Sequence, residues 1–157
     1  MCKILDRIVV GGRNMENFSI TDSNRDEANL VLNKLVEYNL TKVPLSQESA
    51  NIWVNKVIKG EKGDIIAGIN SRMYYWNCIN VDILWVKEEY RRFGLGSMLL
   101  NEVERIAKEK SCYLIHLDTF DFQANDFYQK KGYQVFGVLE NCPTGHKRYY
   151  LSKSLLS

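Results

Sequence analysis

A chain of 157 residues that is 45% apolar and 25% charged has the make-up of an ordinary soluble protein with a sizeable core. Its 21 lysines and arginines against 19 aspartates and glutamates leave a net charge of +2, too little for the concentrated basic face that a nucleic-acid partner needs. No apolar run reaches the roughly 18 residues of a transmembrane helix, and the start "MCKILDRIVVGGRN" lacks the long apolar stretch and cleavage site of a signal peptide.

Gly11 to Asn14, just before Met15, can be written in purine-rich codons that suit a bacterial ribosome-binding sequence. We therefore expect residues 1–14 to be an upstream extension with Met15 as the natural start, and 15–157 to form one domain. A strand over Ile4 to Val10 is the alternative. Phe18 to Thr21 reads as a short strand. Ser23 with Asp26 matches a capping box, and Ala28, Val31, Leu32 and Leu35 recur at the spacing of one helix face. Pro44 opens an irregular stretch. Ile52 to Ile58 and Ile65 to Trp76 read as a hairpin around "KGEKGD".

"VDILWV", Val81 to Val86, is a dense apolar run with one acid, the pattern of a buried strand. After "EEYRRFGLGS" comes a helix whose core stripe is Leu95, Met98, Leu99, Val103 and Ile106. "CYLIHLDTF" reads as a second buried strand. Strand, helix and strand in this order predict a parallel pair. Ala124, Phe127 and Tyr128 mark a short helix ended by Gly132, and "YQVFGVLE" with "HKRYYLSKSL" forms a hairpin around "NCPTG". The fold class is α/β (α+β), a mixed sheet antiparallel at both ends and parallel in the middle.

The four cysteines, Cys2, Cys78, Cys112 and Cys142, show no C-x-x-C spacing and have no His at ligand distance in sequence. We expect no metal, reduced thiols and a cytoplasmic setting. Cys112 reads as a small core residue.

The glycine loop before the helix suits phosphate. Gly94 and Gly96 let the backbone approach a ligand. The amides of Phe93, Gly94, Leu95, Gly96 and Ser97 then face it from a helix start carrying about half a positive charge. Arg91 and Arg92 add cationic donors. A Walker loop is ruled out because G-x-x-x-x-G-K-[ST] is absent. A dinucleotide loop fits poorly because Leu99 stands where the third glycine belongs, although Asp118 lies near the distance of a ribose-binding acid, and a dinucleotide-binding oxidoreductase is the weakest rival expectation.

"RRFGLG" matches R/Q-x-x-G-x-G/A, and "ANDFYQKKGY" matches A-x-x-x-Y-x-K-x-G-F. On these two segments, and on the order of its elements, the chain resembles the GCN5-related N-acetyltransferase (GNAT) family from about Phe18 to Leu155. "HLDTFDFQ" with "GHKRYYL" is similar to a group of bacterial members. The resemblance implies a parallel pair that splays apart in mid-sheet and about four flanking helices. It also implies acetyl-CoA as co-substrate, a primary amine of a small molecule as acceptor, and direct attack in a ternary complex.

Residue by residue, the resemblance implies the coenzyme A pyrophosphate at Arg91 to Ser97 and the pantetheine arm along Val86. Tyr128 takes the position of the general acid toward the departing sulfur. Asp82, Asp118 and His146 are the candidate bases, in that order, while His116 reads as structural. Many members carry Asn where this chain has Asp121, at a pantetheine contact; an acid there can accept but not donate. The acceptor site is expected around Tyr38 to Ser49 and Asn141 to Arg148, with Tyr74, Tyr75, Trp76 and Trp85 as lining candidates. Dimers are common in the family, so a homodimer is one expected assembly. A protein that binds acyl-CoA without catalysis is the competing expectation.

Overall fold

A computed structural model describes residues 19–156 and the backbone of two short strands, β1 (Val9–Val10) and β2 (Arg13–Asn14). Other residues before Ser19, and Ser157, lie outside the described set, and with them most of the expected Ile4 to Val10 strand and the Met15 start. The chain divides into two compact units, Met1–Pro44 and Leu45–Ser157.

In the first unit β1 and β2 pair antiparallel, Val9 with Asn14. No strand forms over residues 19–21, where a short one was expected. α1 runs Arg25–Lys42 and contains the expected periodic residues. Its cap is Asn24 rather than Ser23. The Asn24 side chain accepts from the Asp26 and Glu27 amides, and Glu27 reaches back to the Asn24 amide at 2.8 Å. The capping box is shifted by one residue because Asn24, not Ser23, takes the extended cap conformation.

The second unit is built on a seven-stranded sheet in the order β3-β5-β6-β7-β9-β8, with β4 also paired to β5. Its strands are β3 (Asn51–Trp53), β4 (Lys56–Lys59), β5 (Ile65–Tyr74), β6 (Cys78–Val86), β7 (Leu114–Phe120), β8 (Gln134–Glu140) and β9 (Lys147–Ser154). Its helices are α2 (Leu95–Glu109) and α3 (Asn125–Lys130), so the described residues hold three α-helices rather than about four, plus a 3₁₀ turn at Glu88–Tyr90. The sequence suggested one strand over Ile52 to Ile58. Two form, because Asn55 turns its side chain to accept the Ser71 amide at 3.0 Å and breaks the run. None of the described helices is long and apolar enough to cross a membrane.

Only β6 and β7 are parallel; every other ladder of the sheet is antiparallel. The connection between them is α2, as a parallel crossover requires. The helix packs on β4, β5 and β6. Its buried residues are Leu99, Leu100, Val103 and Ala107. Met98, expected in the stripe, is 59% exposed, and Leu100 takes the core position instead, so the buried face is turned by part of a residue spacing. Those residues close on Ile69, Met73, Ile79, Ile115, Leu117 and Leu151. Burying a side chain of that size contributes about 1.5–3 kcal/mol. Cys112 belongs to this cluster at 5% exposure. Its burial pushes the thiol up to about 11, so it packs as a neutral apolar residue.

Candidate functional site

The parallel ladder is short. Cys78 to Val81 pair with Leu114 to Leu117, and there pairing stops. Beyond that point β6 stays on β5 as far as Val86, and β7 stays on β9 as far as Phe120. The two strands therefore part, and among the described residues no strand pairs with the edge of Asp82 to Val86 that faces the gap, where the Val86 carbonyl accepts from Arg91. A β-bulge sits where they part. Asn70 faces Ile83 and Ser71 faces Val81, which leaves Asp82 as the extra residue. A bulge of this kind re-aims a side chain beside a site. The splay also explains an error in the burial expected from sequence. "VDILWV" is not a uniformly buried strand, because Ile83 and Trp85 are 54% and 46% exposed where no neighbour covers them.

The gap opens into a cavity of about 740 Å³. One wall is β6 from Val81 to Val86. A second is the loop and helix start, with Tyr90, Arg91, Arg92, Gly94, Leu95, Gly96 and Ser97. The third is the end of β7 and the start of α3, with Asp118, Thr119, Phe122, Gln123, Ala124, Phe127 and Tyr128. Ten of the thirteen residues singled out from sequence line it; Phe93, Asp121 and His146 do not.

The loop has the backbone of an anion cradle. Arg92 and Gly94 carry positive φ of 68° and 83°. Gly94 is the cap of α2, and among the described residues no side chain caps the helix's first amides. Those donors are unsatisfied within the helix by geometry, and the residues that carry them line the cavity. Arg91 donates from Nε to the Val86 carbonyl at 3.2 Å, which leaves its outer nitrogens for another acceptor. Phe93 is 74% exposed and lies off the cavity wall.

Tyr128 sits on α3, 6% exposed, with its ring against Phe127 and Tyr133. Burial pushes its phenol up to about 12, and the Asp118 carboxylate adds to the shift. Among the described residues nothing hydrogen-bonds its hydroxyl.

The three acids and bases read from sequence stand in different company. Asp82 is exposed to the cavity and accepts from the Asn80 side chain. Asp118 also lines the cavity, but Arg148 donates to its Oδ2 at 2.6 Å, from the neighbouring strand. His146 pairs through Nδ1 with Asp121 Oδ1 at 3.0 Å. Asp121 is bound up in the closure of the β8–β9 hairpin onto β7. Its amide donates to the Lys147 carbonyl at 3.0 Å, and its Oδ2 accepts the Lys147 amide at 3.1 Å. That pairing draws Asp121 and His146 off the cavity together.

His116 is half-buried one pleat behind Asp118, with Nε2 at 2.6 Å from the Tyr74 hydroxyl. Burial lowers its pKa below the ordinary value; Asp82 and Asp118 oppose the shift. Tyr74 is thus a partner of His116. Tyr75 and Trp76 stand at the β5–β6 turn, the opposite end of β6 from the cleft. Trp85 lines the cavity. Thr119 and Gln123 were missed from sequence. Both lie within the segment "HLDTFDFQ", but the resemblance assigned neither a role, and the splay brings them to the wall.

A cleft between splayed central strands, with an uncapped helix start on one wall and a tyrosine on another, defines an acyltransferase-type site. The acetyltransferase (GNAT) family profile matches residues 19–133, and the chain belongs to that family, as an acetyltransferase. Blasticidin-S acetyltransferase of Streptomyces morookaense is 36% identical over 97 residues, 61% of this chain and 71% of the relative. The crystal structure of an acetyltransferase from Bacillus cereus superposes with a TM-score of 0.80 at 41% identity, covering 87% of this chain and 96% of that one. A Bacillus anthracis protein, described as a candidate streptothricin acetyltransferase and solved with acetyl coenzyme A, shares the fold. Its TM-score is 0.59 at 21% identity, over 69% of this chain and 65% of that one.

Proposed function

We propose that this chain transfers the acetyl group of acetyl-CoA to an amine of a small molecule, by direct attack within a ternary complex. The observation that carries the reading is the cavity between β6 and β7, with the uncapped start of α2 and Tyr128 in its walls. The residues present fit the donor. The amides of Leu95 to Ser97, with Arg91 and Arg92, suit a pyrophosphate. The edge of Asp82 to Val86 that β7 leaves unpaired, apart from the Val86 carbonyl held by Arg91, suits the amides of the pantetheine arm, which would add to it as a strand does. When bound, acetyl-CoA supplies the thioester carbonyl for attack and a thiolate to be released.

Asp82 is the group we assign to the amine. An alkylammonium with a pKa near 10.4 costs about 4–5 kcal/mol to deprotonate at pH 7, and a positioned carboxylate, directly or through water, lowers that cost. Asp82 stands at the bulge and lines the cavity, with no cation bonded to it among the described residues. Tyr128 is the group we assign to the sulfur. Its phenol stays protonated across the physiological range. With a thiol near 8.5, handing the proton over completely is uphill by about 5 kcal/mol. Tyr128 therefore acts best by hydrogen-bonding the sulfur as charge develops there.

The small-molecule acceptor is supported by the likeness to blasticidin-S acetyltransferase. Thiol release from acetyl-CoA, followed across a panel of amines that includes aminonucleoside and amino-sugar antibiotics, tests the reading. Amine-dependent release is the expected result. A protein that binds the donor and releases thiol with none of the amines would be the non-catalytic binder instead.

A further inference from the structure

Gln123 lines the cleft and is held by one end of its amide, the oxygen. It lies in the turn between β7 and α3. Its Oε1 accepts the Phe120 amide at 2.9 Å and the Thr119 hydroxyl at 3.2 Å. A backbone N–H can only donate, so the atom facing it is the oxygen, and the orientation of the amide follows. Thr119 is 3% exposed and itself accepts the Ala124 amide at 3.4 Å, which keeps this corner closed.

The splay makes the arrangement necessary. The ladder to β6 ends at Leu117, so Phe120 has β9 on one side and no strand on the other. The Gln123 carbonyl takes the amide that a continued ladder would have used. Its Nε2, with two hydrogens to donate, then has no acceptor among the described residues, and Gln123 lines the cavity in the wall across the gap from β6.

We propose that Gln123 is a cofactor-binding residue, its Nε2 donating to an amide carbonyl of the pantetheine arm. This rests on the reading of the cleft as the acetyl-CoA site. The cationic loop provides for the phosphates at the α2 end. Deeper in, a neutral acceptor such as an amide carbonyl is what a neutral N–H donor suits. The arm would thus be bonded from both sides, by the backbone of β6 and by Gln123.

The test compares the wild type with Gln123→Glu, using coenzyme A and adenosine 3′,5′-bisphosphate, which keeps a charged adenylate end but lacks the arm. Glutamate retains an oxygen for Phe120 and Thr119 and removes both donor hydrogens. Calorimetry should show the Kd for coenzyme A rising about tenfold more than that for the bisphosphate, with an unchanged melting temperature. Gln123→Met, which removes the cap as well, should show the same selective loss together with a lower melting temperature. An equal loss for both ligands in Gln123→Glu would trace to the added charge and overturn the assignment, as would no loss at all. A wild type that binds neither ligand would remove the acetyl-CoA reading itself.

Discussion

Arg148 on β9 donates from Nε to Asp118 Oδ2 on β7 at 2.6 Å, while Asp82 across the gap has no cation bonded to it among the described residues. Two carboxylates at the same cleft thus differ in what they can accept. We predict that Asp82→Asn lowers kcat by about 10²–10⁴ with little change in donor affinity. Asp118→Asn should cost at most about fivefold, the scale of a partly exposed ion pair. Steady-state kinetics on both variants decide the order, and the reverse order would move the base to Asp118.

Tyr128→Phe should strongly slow acetyl transfer while leaving acetyl-CoA affinity nearly intact, because the ring packing against Phe127 and Tyr133 is kept. The pH profile adds a second check. With the phenol pushed up to about 12, its ionisation should cause no fall in rate below about pH 11. The shift also has a sign for stability. A pKa raised on folding contributes stability that is present below the ordinary value of 10.0 and is lost as pH rises toward 12. Denaturant midpoints at pH 9 and pH 11 should therefore separate more for the wild type than for Tyr128→Phe.

His116 titrates the other way. Burial lowers its pKa, so the neutral ring is favoured in the folded state. The stability it contributes is present above its ordinary 6.5 and is lost as pH falls below that. Wild-type protein should lose stability between pH 7 and pH 5, and His116→Gln should lose less over the same window. A ring that titrates above 6.5 by NMR would contradict this.

Gly94 and Gly96 should part company under the same substitution. At Gly94, φ is +83°, so Gly94→Ala strains the cap by about 1–2 kcal/mol although nothing lies within 4 Å of the new methyl. At Gly96 a methyl meets Phe127 and Val86 at an ordinary 3.7 Å, inside a helix. Gly96→Ala should therefore stabilise folding by up to about 1 kcal/mol and still weaken donor binding, because the methyl narrows the gap between α3 and β6. Thermal melts and coenzyme A titrations of the two variants measure both effects.

The buried face of α2 gives a contrast in stability alone. Leu100 is fully buried and Met98 is 59% exposed. Leu100→Ala should cost about 2–5 kcal/mol, whereas Met98→Ala should stay within about 0.5 kcal/mol. Comparable losses would mean that the helix is rotated from the position described.

Much of this was legible along the chain because the signals are local. The order of strands and helices follows from apolar periodicity and turn residues, and the loop from glycine spacing beside arginines. Tyr128 came from a motif within one short helix. The errors have a common cause. Met98 and Leu100 differ by the rotation of a helix against a sheet, and the capping box by which of two neighbours takes the extended conformation. Neither is encoded in residue type.

The sequence by itself determined the order of most elements, the family and the glycine loop that we assign to the donor, since each depends on residues a few positions apart. The tertiary structure alone decided which partners the acids have. Asp82 was left in the cleft by a bulge against β5, Asp118 was taken up by Arg148 from β9, and Asp121 and His146 were drawn together by the closing hairpin. Arg148 lies 30 positions from Asp118, and His146 lies 25 from Asp121. A carboxylate's availability depends on which cation or amide the fold brings within about 3 Å of it.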